Sequence, residues 1–240
     1  MLDVRDVTVR AGSRILLEGV SFAAEPGEVV GVIGPNGAGK TTLLEVLVGL
    51  RQPDSASITF CGGALRTFNE KAQVFAFFPD SAELAPELEV PEHVSHAFDF
   101  KPRAPEIIEE LRAALAISEL LDAPAGVLSR GERQRVALFC ALAVERPVVV
   151  LDEPFNAFDP VQLRRVLGVV RRLAEAGATI VTSVHQLRDA ERIADRVLLL
   201  AEGRRIAWGD LPSLRAEISR PDADLEEVFI ALLERRSRAA

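Results

Sequence analysis

The chain has 240 residues, of which 48% are hydrophobic and 27% charged, and a formal net charge of −8; those proportions suit a globular protein with ample material for a core. The acidic balance argues against a broad nucleic-acid-binding face. Two cysteines in apolar stretches, Cys61 and Cys140, are too few for a disulfide framework and lack metal-ligand spacing, which fits a reducing cytoplasm.

The opening MLDVRDVTVR carries charges where a secretory leader needs an apolar run. Alternation in residues 2–10 predicts a half-exposed strand paired antiparallel with VSFAAE at 20–25. EVVGVI at 28–33 is a continuous apolar strand that ends in glycine, and a helical pattern opens at Lys40 and runs to 50. Weaker strands follow at 57–60 and 74–78. Residues 85–146 are punctuated by Pro86, Pro91, Pro102 and Pro105 and show helical spacing over 104–121 and 131–145, which predicts a helical subdomain inserted into the sheet. From Pro147 the chain alternates strand (147–153), helix (160–176), strand (178–184), helix (186–194) and strand (196–202), the rhythm of a parallel sheet with helices on both faces. A turn and strand at 203–209 and two short helices within 211–237 complete the pattern. The longest aliphatic runs, PVVVL and VLLLA, fall far short of the roughly 20 residues that cross a bilayer.

Two stretches carry chemistry. GPNGAGKTT matches Gly-x-x-x-x-Gly-Lys-Ser/Thr through Gly34, Gly39, Lys40 and Thr41, with Pro35, Asn36, Gly37, Ala38 and Thr42 completing the loop. Glycines let successive backbone N–H groups turn in around a phosphate at the positive end of the following helix. Lys40 reaches β- and γ-phosphates, and the Thr41 hydroxyl is a ligand for Mg²⁺. In VVVLDEP an apolar strand delivers Asp152 and Glu153 to the carboxyl edge of the sheet. Asp152 suits the shell of a magnesium ion and Glu153 suits a base that orients water.

Between them stands LSRGERQR, residues 128–135. With it, the order of motifs resembles the ATP-binding-cassette (ABC) ATPase, the nucleotide-binding subunit of ABC transporters. Leu128, Ser129 and Gly131 match that family's Leu-Ser-Gly-Gly-Gln signature, whereas Arg130 and Glu132 depart from it. Ser129 and the Gly131 backbone are the groups the resemblance places on a γ-phosphate. FNAFDP resembles the family's D-loop, with Asp159, and His185 in TSVHQ stands where the family keeps its switch histidine. The resemblance covers nearly the whole chain. It implies an α/β P-loop NTPase fold: a RecA-like core sheet, an N-terminal antiparallel β portion and the inserted helical subdomain, all in one nucleotide-binding domain over 1–240. It implies ATP and Mg²⁺ as cofactors, Glu153, His185 and Lys40 as catalytic residues, and membrane-spanning transporter subunits as partners at the cytoplasmic face of the membrane. Two such subunits, as homodimer or heterodimer, would sandwich ATP between one chain's phosphate loop and the other's signature.

Two departures stand out. The family's adenine-stacking aromatic falls near Ala11, and the chain has no tyrosine; a lost stacking contact is worth about 1–3 kcal/mol. Where the family has a metal-binding glutamine, FAFFPD places Asp80, still a hard oxygen ligand but one that adds a negative charge. His93 and His96 lack a third ligand and read as surface residues. Arg130, Arg133 and Arg135 read as phosphate, glutamate or solvent partners, and RRSRAA as a frayed end. DLEEVFIALLE, with Leu225, Val228, Phe229 and Leu232 on one face, reads as a helix packed back on the domain and resembles the tail of exporter-type ABC ATPases. A soluble ABC ATPase acting on nucleic acid or ribosomes, or a low-turnover regulatory cassette, are the rival expectations; co-purification with nucleic acid or an absence of turnover would identify them.

Overall fold

The computed structural model describes residues 1–81, 83–156 and 158–239, with only the backbone for 237–239. Two sheets form the frame. The first is antiparallel, built from β1 (Leu2–Ala11), β2 (Arg14–Ala24), β4 (Ser55–Phe60) and the two-residue β5 (Gly63–Ala64), in the order β2-β1-β4-β5. The second holds β3 (Val29–Ile33), β6 (Phe75–Phe78), β7 (Val148–Leu151), β8 (Thr179–Ser183), β9 (Arg196–Ala201) and β10 (Arg204–Gly209), in the order β10-β9-β3-β8-β7-β6. β9, β3, β8, β7 and β6 are parallel, and β10 closes the edge antiparallel to β9.

The parallel strands read as unbroken aliphatic runs because both of their faces are covered. Along β7, Val148 and Val150 face one core while Val149 and Leu151 face the other. On the first face lie α1 (Lys40–Val48), through Leu43, Leu44 and Leu47, and the antiparallel sheet, through Leu2, Val4, Leu17 and Val20. Helices thus lie on both faces, as expected, and on this one the antiparallel sheet shares the cover with α1. The opposite face is helical. α6 (Pro160–Glu175) and α7 (Leu187–Ile193) cover it, joined by α3 (Val90–Phe98), α4 (Pro105–Ala114), α5 (Arg130–Ala143), α8 (Leu211–Glu217) and α9 (Leu225–Ala239).

Local chemistry sets the helix ends. Asp159 caps α6 by accepting from the N–H groups of Val161 and Gln162, with Pro160 in the first turn. The predicted helix over 104–121 is instead α4 ending at Ala114. Ala116 takes the left-handed conformation at φ 50, and a single 3₁₀ turn follows at Ile117–Glu119, so that Leu115 and Ile117 can both be fully buried. An unpredicted helix, α2 (Phe68–Val74), precedes β6; Thr67 and Glu70 form its capping box. Cys61 is exposed, because it occupies a turn at φ 48 rather than an apolar setting. The C-terminal end is tied down rather than frayed: Arg235 and Arg236 donate to the carbonyls of Glu217 and Arg205, while Ala240 lies outside the described residues. As expected, Leu225, Val228 and Leu232 bury one face of α9. Among the described residues no helix is long and apolar enough to cross a membrane.

Candidate active site

Since β3, β8, β7 and β6 are parallel neighbours, the residues following each emerge at one edge of the sheet, about 5 Å apart from strand to strand. β3 delivers the phosphate loop, β7 delivers Asp152 and Glu153, β8 delivers Ser183 and His185, and β6 delivers Pro79 and Asp80.

The loop owes its path to glycine. A Cβ on Gly34 would lie 2.3 Å from the Leu200 carbonyl oxygen, and one on Gly39, at φ 102, would lie 2.5 Å from Leu17 Cδ2. Between them Ala38 N–H donates to the Pro35 carbonyl at 3.1 Å, and Ala38 itself is buried. Lys40 is 6% exposed; its Nζ donates to the carbonyls of Gly34 at 2.9 Å and Pro35 at 3.4 Å and lies 3.7 Å from Glu153 Oε1. Asn36, Gly37, Gly39, Lys40, Thr41 and Thr42 line a cleft of about 250 Å³ with Glu153, Arg14 and Leu16. Gly34, Pro35 and Ala38 do not line it. Gly34 approaches the Leu200 carbonyl and Ala38 is buried, whereas Pro35 is exposed.

Asp152 is 1% exposed, and its backbone N–H donates to the Phe78 carbonyl at 2.8 Å, locking the end of β7 to the end of β6. Burial pushes its carboxyl above the ordinary range. Hydrogen bonding from the Ser183 and Thr41 hydroxyls pulls the other way, and the nearby charges of Asp80 and Glu153 add to the rise. Asp80 is exposed just beyond β6, so the structure does bring Asp80, Asp152 and Thr41 into one electrostatic neighbourhood. Ala82, in the same stretch, lies outside the described residues, as does Ala157 of FNAFDP.

Sequence reasoning missed Ser183. It is fully buried, donates from Oγ to Asp152 Oδ1 at 2.6 Å and accepts from the Glu153 N–H at 2.7 Å. Glu153 needs that support, being a non-glycine residue at φ 48. Asn156 was also overlooked; its amide donates to Glu153 Oε2 at 2.9 Å. His185 stands exposed in the bend after β8, outside the lining of the cleft.

Ser129 and Gly131 lie elsewhere, in a second cleft of about 480 Å³ shared with Arg135, Asp159, Gln162 and Arg165. The two clefts have no lining residue in common. Ser129 caps α5: its hydroxyl accepts from the Glu132 N–H, and the Glu132 carboxylate accepts from the Ser129 N–H at 2.8 Å. The departure at Glu132 thus completes a capping box, and the bond from Ser129 holds the carboxyl of Glu132 below its ordinary range. Arg133 and Arg135 donate to the carbonyls of Leu128 and Leu115. His93 Nε2 lies 3.1 Å from the Ala85 carbonyl, and His96 lies beside Asp99.

Comparison with known proteins gives this geometry its family. Residues 17–156 match the family model described as ABC transporter. The chain is 35% identical over 213 residues to the Nod factor export ATP-binding protein I of Burkholderia orbicola, covering 87% of this chain and 70% of that protein. It is 38% identical over 224 residues to the hemin import ATP-binding protein HmuV of Gloeobacter violaceus, covering 87% and 82%. A solved structure of an ATP-binding subunit of an ABC transporter superposes with a TM-score of 0.88 at 30% identity, covering 97% of this chain and 99% of that one. The chain belongs to the ABC transporter family, as one of its ATP-binding ATPase subunits.

Proposed function

We propose that this chain is a single nucleotide-binding domain that hydrolyses ATP as a dimer, homomeric or heteromeric, to drive membrane-spanning partner subunits from the cytoplasmic face. The observation that carries this reading is the separation of the two clefts: the phosphate loop and Glu153 lie in one, Ser129 and Gly131 in the other. Each chain then offers two half-sites, and a pair of chains completes both. The backbone N–H groups of the loop residues that line the cleft, Gly37 and Gly39 to Thr42, hold the phosphates together with the Lys40 ammonium. Glu153, fixed by Ser183 and Asn156, orients the attacking water, and His185 approaches the same edge of the sheet.

The residues at the sheet edge fit Mg²⁺. Thr41, Asp152 and Asp80 supply only oxygen donors, and a buried carboxylate pushed toward its neutral form is what a hard cation relieves. When bound, the ion would neutralise charge on the phosphates. For the membrane partner, an apolar groove of about 290 Å³ lies between the sheet and the helical portion at 85–146; Leu50, Phe68 and Phe100 line it and are each more than half exposed. Such a surface suits an apolar segment of another protein. Export is the direction we propose, on the identity to the Nod factor export protein and the resemblance of the 224–234 tail to exporter-type cassettes, while the identity to the hemin import protein supports the opposite direction.

The test is Glu153→Gln. ATP binding should persist while steady-state hydrolysis falls by two orders of magnitude or more, about the effect of removing a positioned base. Hydrolysis at the wild-type rate would overturn the assignment.

A further inference from the structure

Ala11 leaves the question of what holds the base, and the structure offers an answer that rests on the ATP-binding reading above. β1 and β2 form a tight hairpin in which Ala11 and Arg14 are direct cross-strand partners around Gly12, at φ 60. Directly opposed residues of an antiparallel pair put their side chains on the same face. An alanine at 11 therefore leaves room on that face for Arg14.

Arg14 and Leu16 both line the same cleft as the phosphate loop, Leu16 standing at the irregularity where the pairing of β1 and β2 skips one residue. Their spacing along the strand is about 7 Å. The register of this wall against the loop is tight: a Cβ on Gly39 would meet the Leu16 carbonyl oxygen at 2.9 Å and Leu17 Cδ2 at 2.5 Å. Among the described residues no aromatic side chain lines the cleft. The Arg14 side chain is exposed and makes no hydrogen bond, ion pair or ring contact among the described residues. By contrast, Arg204 is paired with Glu18 of the same strand β2.

We propose that Arg14 is the base platform of this cassette: its guanidinium plane stacks on the purine while Leu16 supplies apolar contact beneath, replacing the aromatic ring that Ala11 cannot provide. A guanidinium is planar, weakly hydrated and well suited to an aromatic face, where an ammonium offers only a point charge. Arg14 is thus a positioning residue that acts on the base and leaves the phosphates to the loop.

The experiment is calorimetric titration of wild type, Arg14→Ala and Arg14→Lys, each with ATP and with inorganic tripolyphosphate in the presence of Mg²⁺. Arg14→Ala should weaken ATP about 3- to 10-fold and leave tripolyphosphate unchanged. Arg14→Lys should behave like the alanine variant, because charge without the plane does not stack. Equal losses for both ligands would make Arg14 a phosphate contact and overturn the proposal, as would an unchanged ATP affinity or full retention by lysine. Failure of the wild type to bind either ligand would instead defeat the ATP-binding reading itself.

Discussion

Ser183→Ala is the perturbation that best tests how the sheet edge is wired. The substitution removes one buried oxygen that donates to Asp152 at 2.6 Å and accepts from the Glu153 N–H at 2.7 Å. A hydrogen bond to a charged carboxylate contributes about 1.5–3 kcal/mol, and a neutral backbone bond about 0.5–1.5 kcal/mol. Glu153 at φ 48 holds backbone strain that the variant can partly release, which offsets some of the loss. The net expectation is a destabilisation of about 2–3 kcal/mol, read by urea unfolding at neutral pH in a metal chelator. Hydrolysis should fall about tenfold or more, since a small displacement of Glu153 misplaces the water it orients. The double variant with Asp152→Asn should show a coupling of more than about 0.5 kcal/mol, because the two side chains share one contact. A destabilisation under about 0.5 kcal/mol, or strict additivity with Asp152→Asn, would refute this account of Ser183.

Asp152→Asn alone should stabilise the metal-free protein at neutral pH. The folded state holds this carboxyl above its ordinary range, so the folded chain keeps a proton that the unfolded chain gives up. The wild type therefore loses stability relative to the variant as pH rises from the unfolded carboxylate range through the raised folded value, and thermal melts across that window should show the gap opening with pH. Gly34→Ala should cost about 3 kcal/mol and ATP binding with it, because the added methyl would stand 2.3 Å from a β9 carbonyl that cannot move freely; an unchanged melting temperature would contradict the close approach. Burial pushes the Cys140 thiol up to about 12, whereas Cys61 is exposed. A thiol reagent at pH 8 should label one cysteine in the folded chain and the second only after unfolding.

The phosphate loop was legible because its signal is local: glycines at fixed spacing between an apolar strand and a helical pattern. The parallel strands were legible for the same reason, as aliphatic runs with no polar interruption. Other features depend on contacts made far along the chain. Ser183 reads as an ordinary strand residue until β7 and β8 are laid side by side, when it falls next to Asp152. The break at Ala116 follows from the burial of both Leu115 and Ile117, which helical periodicity alone would not demand. α2 is too short, at seven residues, to show a convincing period, although Thr67 and Glu70 carried its capping signature. Glu132 looked like an imperfect match to a family signature, and the same spacing explains it as a cap. Asp80 was placed by resemblance, and its neighbourhood follows from the β6–β7 register that brings Phe78 opposite Leu151.

The hold of Lys40 on its own loop has a kinetic meaning. With Nζ bonded to the Gly34 and Pro35 carbonyls, the lysine ties up those oxygens and braces the curve of the loop from within. A phosphate then meets a rigid mould rather than a chain that must first be ordered, and little entropy is left to surrender on arrival. Capture of nucleotide should accordingly proceed without a separate phase in which the loop is ordered.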